Sequence, residues 1–374
     1  MNKIYLFTAA FAVMASLSGC SDTELASIDT AQEKTPIGFH TVGSQMGSRA
    51  NIINSSDDLT STDFNVYAFD GDGNAFMGEN DIILGFGGIN ISYQNGKWDY
   101  TTSSDRKYWP GTVKKLNFYA VNPATKFDTE MMSFYGWQIN KDKLEIHYTC
   151  INEYGLTHGN KNIDVMYATA KNQTKDNNAG KVSLDFKHIL SQIAFKAKTL
   201  DENTKVEIES IVIHNVDEAG TFVMPTEGST ATGWTLKGSL KNFVIGMNST
   251  TTVDNNGTDV FTKPILFVPQ PLEKWATTAS TPKTIAEADA AKECYLEISC
   301  KISIDETYPH GTATQFESLY IPFEANWQPG KRYVYTLIFG GGYTEKGNPV
   351  LTPVSFVPSV ESWKDVNNNI NTQQ

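Results

Sequence analysis

Cys294-Tyr295-Leu296-Glu297-Ile298-Ser299-Cys300-Lys301-Ile302-Ser303-Ile304 sets the structural class of this chain. Every even position is apolar and the odd positions are mostly polar. A period of two places the apolar set on one face of an extended strand and would scatter it around a helix. Within one such strand Cys294 and Cys300 point the same way, yet lie about 20 Å apart at about 3.3 Å per residue. A disulfide needs Cα atoms within about 7 Å, so the two cannot bond each other in an unbroken strand. Both are expected as small buried hydrophobes. A bond from Cys150 to either one stays open.

The same alternation recurs along the body, in Phe64-Asn65-Val66-Tyr67-Ala68-Phe69, Val206-Glu207-Ile208-Glu209 and Tyr333-Val334-Tyr335-Thr336-Leu337-Ile338-Phe339. Asn95-Gly96 predicts a two-residue hairpin turn that pairs Gln94 with Lys97, Tyr93 with Trp98 and Ile91 with Tyr100. The last two pairs share one face, as a buried sheet requires. Helical periodicity is scarce, and only residues 188–192 and 284–291 are expected as short helical turns. Many short strands between Gly, Asn, Asp and Pro turns predict an all-β protein built of β-sandwiches. At 374 residues the chain exceeds what one core usually holds, so two domains are expected. The boundary is placed near residues 171–181, a polar, turn-rich run with no apolar position to bury.

The N-terminus has its own logic. Lys3 gives a short positive start, residues 4–15 an apolar run, and Leu17-Ser18-Gly19-Cys20 follows as a bacterial lipobox. The apolar run falls short of the about 20 residues a spanning helix needs, so residues 1–19 are a signal peptide. Cys20 is the expected lipidation site, which anchors the chain to a membrane without threading it. Residues 21–35 are polar and tether-like. Pro36-Ile37-Gly38-Phe39-His40-Thr41-Val42 then predicts a strand with Ile37, Phe39 and Thr41 on one face. A loose run leads to Ser48-Arg49-Ala50. Arginine occurs only at 49, 106 and 332, and Arg49 has the most flexible context, where a trypsin-like protease could cut.

Net charge is −12, which argues against nucleic acid and against broad contact with anionic lipid. Catalytic signals are poor. The histidines show no His-Glu-x-x-His spacing, and His147, His158 and Cys150 fit no common zinc pattern. Asp70-Gly71-Asp72-Gly73-Asn74 matches the start of a calcium loop, but Ala75 stands where glycine is needed and Asp81 where a bidentate Glu is needed. A turn explains it better. No cofactor and no metal site are implied. Aromatic clusters at Trp98/Tyr100 and Tyr108/Trp109 suit either a sandwich core or a sugar-stacking platform.

Taken in order, these features resemble the fimbrillins, subunits of the type V pili of anaerobic Gram-negative gut and oral bacteria. The residues that carry the resemblance start with the lipobox at Cys20, the first strand with Ile37 and Phe39, and Ser48-Arg49-Ala50. They continue through Tyr108-Trp109-Pro110-Gly111 with Leu116-Asn117-Phe118-Tyr119-Ala120, then Val182-Ser183-Leu184-Asp185-Phe186-Lys187-His188. Trp327-Gln328-Pro329-Gly330-Lys331-Arg332-Tyr333 and Trp363 close the series.

The resemblance implies two tandem transthyretin-like β-sandwich domains, at 50–178 and 179–374, behind a lipidated propeptide at 20–49. It implies a structural and adhesive subunit of a cell-surface pilus, not an enzyme. An Arg-specific protease would cut between Arg49 and Ala50 and remove the strand bearing Ile37 and Phe39. Another pilin subunit would fill the vacated groove, with a host glycan or protein as the receptor of the finished fimbria. The precursor would be an outer-membrane lipoprotein, touching the membrane only through its lipid. The candidate donor strand is the late apolar stretch with Val354, Phe356 and Val360. The tail after Trp363 has one apolar residue, Ile370, so either the 350–360 strand donates or the subunit cannot. The alternative is a glycan-binding surface lipoprotein that never polymerises, which would need an exposed aromatic row such as Trp98, Tyr100 and Trp109. A hydrolase is the third reading, and no nucleophile–base or carboxylate pair stands out for it.

Overall fold

The alternating stretch forms strand Tyr295–Ile304, and its even-numbered residues Leu296, Ile298, Cys300 and Ile302 are buried. It lies inside a seven-stranded sheet, between Thr204–Asp217 and Glu317–Pro322. Leu240–Val253 pairs on the far side of Thr204–Asp217. A five-stranded sheet holds Ser191–Thr199, Lys331–Phe339 and Ser355–Ser362 in that order, with Thr258–Asp259 and Ile265–Phe267 on the other side of Ser191–Thr199. Ile193, Phe195, Leu337 and Phe339 from this sheet share a core with Val206, Ile208, Ile211 and Ile298 from the other. The computed structural model describes residues 34–42, 59–78, 88–111, 115–124, 136–140, 144–150, 163–200, 202–225, 233–260, 265–339, 342–351 and 355–362.

The N-terminal half is organised by a second seven-stranded sheet. Its order is Lys187–His188, Met166–Gln173, Leu116–Asn122, Phe64–Asp70, Ile89–Gln94 and Lys97–Tyr100, with Ala75–Met77 also on Phe64–Asp70. Phe64, Val66 and Ala68 point into one core, while Tyr67 belongs to the other. Burial on both faces explains why Tyr67, on the face opposite Phe64, Val66 and Ala68, is apolar too. The four-stranded sheet Gly136–Asn140, Glu145–Thr149, Ala219–Val223 and Trp234–Leu236 contributes Ile146, Tyr148 and Phe222 to the core that contains Tyr67.

The fold is all-β, with the short α-helix Ile285–Ala291 and two single 3-10 turns, Ser103–Asp105 and Asn177–Gly180, among the described residues. Thr284 caps that helix in a reciprocal box with Glu287. The other expected helical turn is absent. Residues 188–192 end one strand, Lys187–His188, and begin another, Ser191–Thr199. The correction has a plain cause, since Gln192 to Thr199 pair in parallel with Arg332 to Phe339, a long-range ladder that overrides local preference. The Asn95-Gly96 turn forms with both residues at positive φ, 51° and 79°, and sets all three expected pairs. Cys150, Cys294 and Cys300 are buried free thiols. Residues 171–181 include the short turn Asn177–Gly180. The strand Met166–Gln173 runs into them, and Val182 and Leu184 just beyond return to the core that holds Ile37 and Phe39. Residues 35–374 form one compact unit.

Candidate functional site

The first strand, Gly38–Val42, pairs in parallel with Lys181–Asp185 in a two-stranded sheet, Gly38 opposite Lys181 and Val42 opposite Asp185. Its entry is held by the loop around Tyr108. Ile37 N donates to Lys107 O at 2.9 Å, and Trp109 N donates to Thr35 O at 2.9 Å. These two bonds flank the Pro36–Tyr108 bridge, so Pro36 is asked for no N–H, which suits proline. Ile37 and Phe39 are 1% and 5% exposed. The Phe39 ring sits among Tyr100, Phe64 and Phe118, with centroids at 5.8, 6.3 and 6.3 Å.

Two indoles close the groove around this strand. Trp98 Nε1 donates to Thr41 Oγ1 at 2.9 Å, and Trp109 Nε1 donates to Gly180 O at 2.9 Å. Gly180 has φ +80°, and a β-carbon there would lie 3.0 Å from Thr35 Cγ2 and 3.3 Å from Trp109 Nε1. Only glycine satisfies both the backbone and the space. The turn before the clamp loop is fixed by charge. Arg106 pairs with Asp99 at 2.9 Å and lies over the Tyr100 ring. Burial opposes ionisation of Asp99, but Lys97, the Tyr100 amide and Arg106 outweigh it and hold its carboxyl below the usual range. Burial pushes the Tyr100 hydroxyl up to about 12.

The structure therefore brings together Ile37, Phe39, Trp98, Tyr100 and Trp109. It also decides between the core and the sugar-platform readings of these aromatics. Trp98, Tyr100 and Trp109 are 8%, 5% and 7% exposed, so they form groove walls and not an open sugar-stacking row. Cys20, Arg49, Ala50 and Val354 lie outside the described residues. Phe356 and Val360 lie in Ser355–Ser362, opposite Leu337 and Tyr333. Asp70 serves as a turn residue, its Oδ1 accepting from Asp72 N and Asn74 N. His147 meets Thr221 Oγ1 at 2.9 Å, His158 lies outside the described residues, and burial raises the Cys150 thiol to about 12. Among the described residues no cluster of His, Cys, Asp and Glu is disposed to hold a metal, and no helix is long and apolar enough to cross a membrane.

The two indole clamps and Gly180 are the residues that sequence reasoning missed as a set. The only signal the two indoles share is one polar atom each beside an apolar pattern, which ordinary core residues also show.

With that geometry in hand, comparison with known proteins places the chain. It belongs to the fimbrillin-like family, whose model matches residues 49–363. This is a family of structural and adhesive proteins, not of enzymes. A fimbrial protein from Bacteroides vulgatus ATCC 8482 is similar in structure, with a TM-score of 0.52 at 15% identity, over 88% of this chain and 99% of that one. A candidate cell adhesion protein from Bacteroides uniformis ATCC 8492 gives a TM-score of 0.46 at 14% identity, again over 88% and 99%. The first likeness shows a shared fold. Comparison with curated proteins gave no match.

Proposed function

We propose that the protein is a structural and adhesive subunit of a cell-surface pilus, assembled by removal of its first strand and insertion of a neighbour's strand. The precursor travels as an outer-membrane lipoprotein acylated at Cys20. An Arg-specific protease cuts between Arg49 and Ala50, and residues 20–49 leave with the lipid. The remaining chain, with sandwich domains at 50–178 and 179–374, joins other pilin subunits, and the fibre meets a host glycan or protein.

The observation that carries this reading is the attachment of Gly38–Val42. Its contacts are one parallel ladder, the clamp loop and buried side chains, all far away in sequence. Losing Ile37 and Phe39 would expose about 1.5–3 kcal/mol of apolar burial for each side chain. It would also leave the edge of Lys181–Asp185 unpaired, a template that another strand can complete. Such a contact is head-to-tail and grows a filament. The late strand with Val354, Phe356 and Val360 is the candidate donor.

The N-terminus and mass of the protein on intact cells test this, for wild type and Arg49→Ala. The expected wild type starts at Ala50 and runs in detergent-resistant ladders that Arg49→Ala abolishes. A monomer still starting at lipidated Cys20 would contradict a polymerising subunit.

A further inference from the structure

Arginine fills three of the 30 Lys and Arg positions, at 49, 106 and 332. Arg332 is locked in a ladder, opposite Gln192 on one neighbouring strand and Glu361 on the other. Arg106 lies in no strand. It follows the Ser103–Asp105 turn with φ −58° and ψ 125°, an extended form that a protease can pair with as a strand. We propose that Arg106–Lys107 is a second bond for the Arg-specific protease, masked while the first-strand groove is filled and opened when the groove stands empty. This rests on the strand-replacement reading above and gives it a control step. A subunit that loses its first strand and gains no other is cut in its clamp loop.

The mask is the first strand itself. The carbonyl of Lys107, just past the bond, accepts from Ile37 N at 2.9 Å, and Trp109 N donates to Thr35 O at 2.9 Å. The Pro36–Tyr108 bridge lies between these bonds. Residues 107–109 are thereby held against the strand and are not free to enter a protease cleft. The Arg106 side chain is held as well. It pairs with Asp99 at 2.9 Å and lies over the Tyr100 ring, 5.9 Å from the centroid. The Tyr100 ring is in turn backed by Phe39, with centroids 5.8 Å apart.

Loss of residues 35–42 ends both backbone bonds and removes the ring behind Tyr100. Little else has to move. The Arg106 side chain is 38% exposed even when paired, and Trp109 stays pinned through its indole to Gly180 O. The opened stretch is therefore confined to the loop before Trp109. Exposed, unpaired loops of this kind are where proteases nick a folded chain. The step is hydrolysis: one water adds across the Arg106–Lys107 amide, leaving a carboxylate on Arg106 and an amine on Lys107. The cut parts the Asp99 anchor of the loop from the Tyr108–Trp109 clamp, so the groove loses its entry.

The test uses the purified full chain and an Arg-specific protease that ignores lysine, with fragments read by intact mass. After the cut at Arg49 the released strand is dialysed away, and one portion is refilled with excess peptide of residues 34–42. Cutting after Arg106 is expected to be on the order of thirtyfold faster in the empty protein, which lacks the two backbone hydrogen bonds to the loop. Arg106→Lys keeps the charge and should abolish that fragment while leaving the Arg49 cut intact. Equal rates in empty and refilled protein would overturn the mask. So would a fragment ending at Arg332 that appears together with the one ending at Arg106, since the whole chain would then have opened. If the strand leaves and Arg106 is still not cut, this inference fails and strand replacement stands. If the strand never leaves after the Arg49 cut, strand replacement fails and this inference with it.

Discussion

The two main cores differ in how their walls are joined to the chain. The larger one lies between sheets of five and seven strands, where strands as long as Thr204–Asp217 and Leu240–Val253 pair across many residues. The smaller one has one broad wall and one narrow one, and the narrow wall is only Gly38–Val42 beside Lys181–Asp185. Aromatic rings supply much of its packing, with Phe39 at the centre of three of them. The first strand is covalently tied to the body only through the chain that follows it, which contains Arg49. One cut therefore changes a wall element into a bound peptide, while the larger core loses nothing. On the proposed function, this division lets the groove be exposed while the larger core stays folded.

The sharpest way to break this comparison is to damage each core in turn. Trp327 is buried, stacks on Phe267 at 5.1 Å and donates to Tyr335 Oη at 3.0 Å. Trp327→Ala should cost about 3–5 kcal/mol in denaturant unfolding and loosen the larger core throughout. Phe39→Ala in the uncut chain should cost about 3 kcal/mol, with a different pattern. Hydrogen exchange should accelerate in Phe64–Asp70 and Leu116–Asn122 but not in Thr204–Asp217. Equal loss of protection in all three strands would mean that the two cores open as one unit.

Two smaller effects belong to the outer side of the larger core, and both should leave the first-strand groove untouched. Thr284→Ala removes the side-chain half of the capping box, the oxygen that accepts from Glu287 N, and should cost about 1 kcal/mol of stability. Glu297 accepts from His214 and Ser318, and the His214 bond is the largest influence holding its carboxyl below the usual range. A carboxyl depressed in the folded state stabilises above its unfolded value and loses that contribution as the pH falls through the folded one. Glu297→Gln should flatten the acid limb of the stability–pH curve below pH 4.5, the ordinary value of this group. Thermal melts across that range would show it, and an unaltered limb would count against the assignment.

Local signals were legible in the sequence and long-range ones were not. Asn95-Gly96 fixed a hairpin and its register because turn geometry alone decides it. The alternation in Tyr295–Ile304 was equally plain, although Tyr295 on its polar face is buried too, against Trp275 and near the helix Ile285–Ala291. The first strand and its inward set Ile37, Phe39 and Thr41 could also be read, since one face alternates. Its partner could not, because Lys181–Asp185 is remote in sequence and parallel pairing leaves no local turn to mark it. The same limit hid the clamps. Trp98 and Trp109 look alike in sequence whether they stack on sugars, fill a core or hold a strand, and only their hydrogen bonds to Thr41 and Gly180 separate these roles.

The most direct test of the central claim is to cut the purified chain after Arg49 and follow two signals under native conditions. One is exchange of the released N-terminal peptide for an isotopically labelled copy, read by intact mass. The other is hydrogen-exchange protection of Thr204–Asp217. If the first strand is a replaceable part, the peptide exchanges while that protection is unchanged. If the peptide never exchanges, or the larger core unfolds when it does, the strand is an ordinary structural element and the claim is wrong.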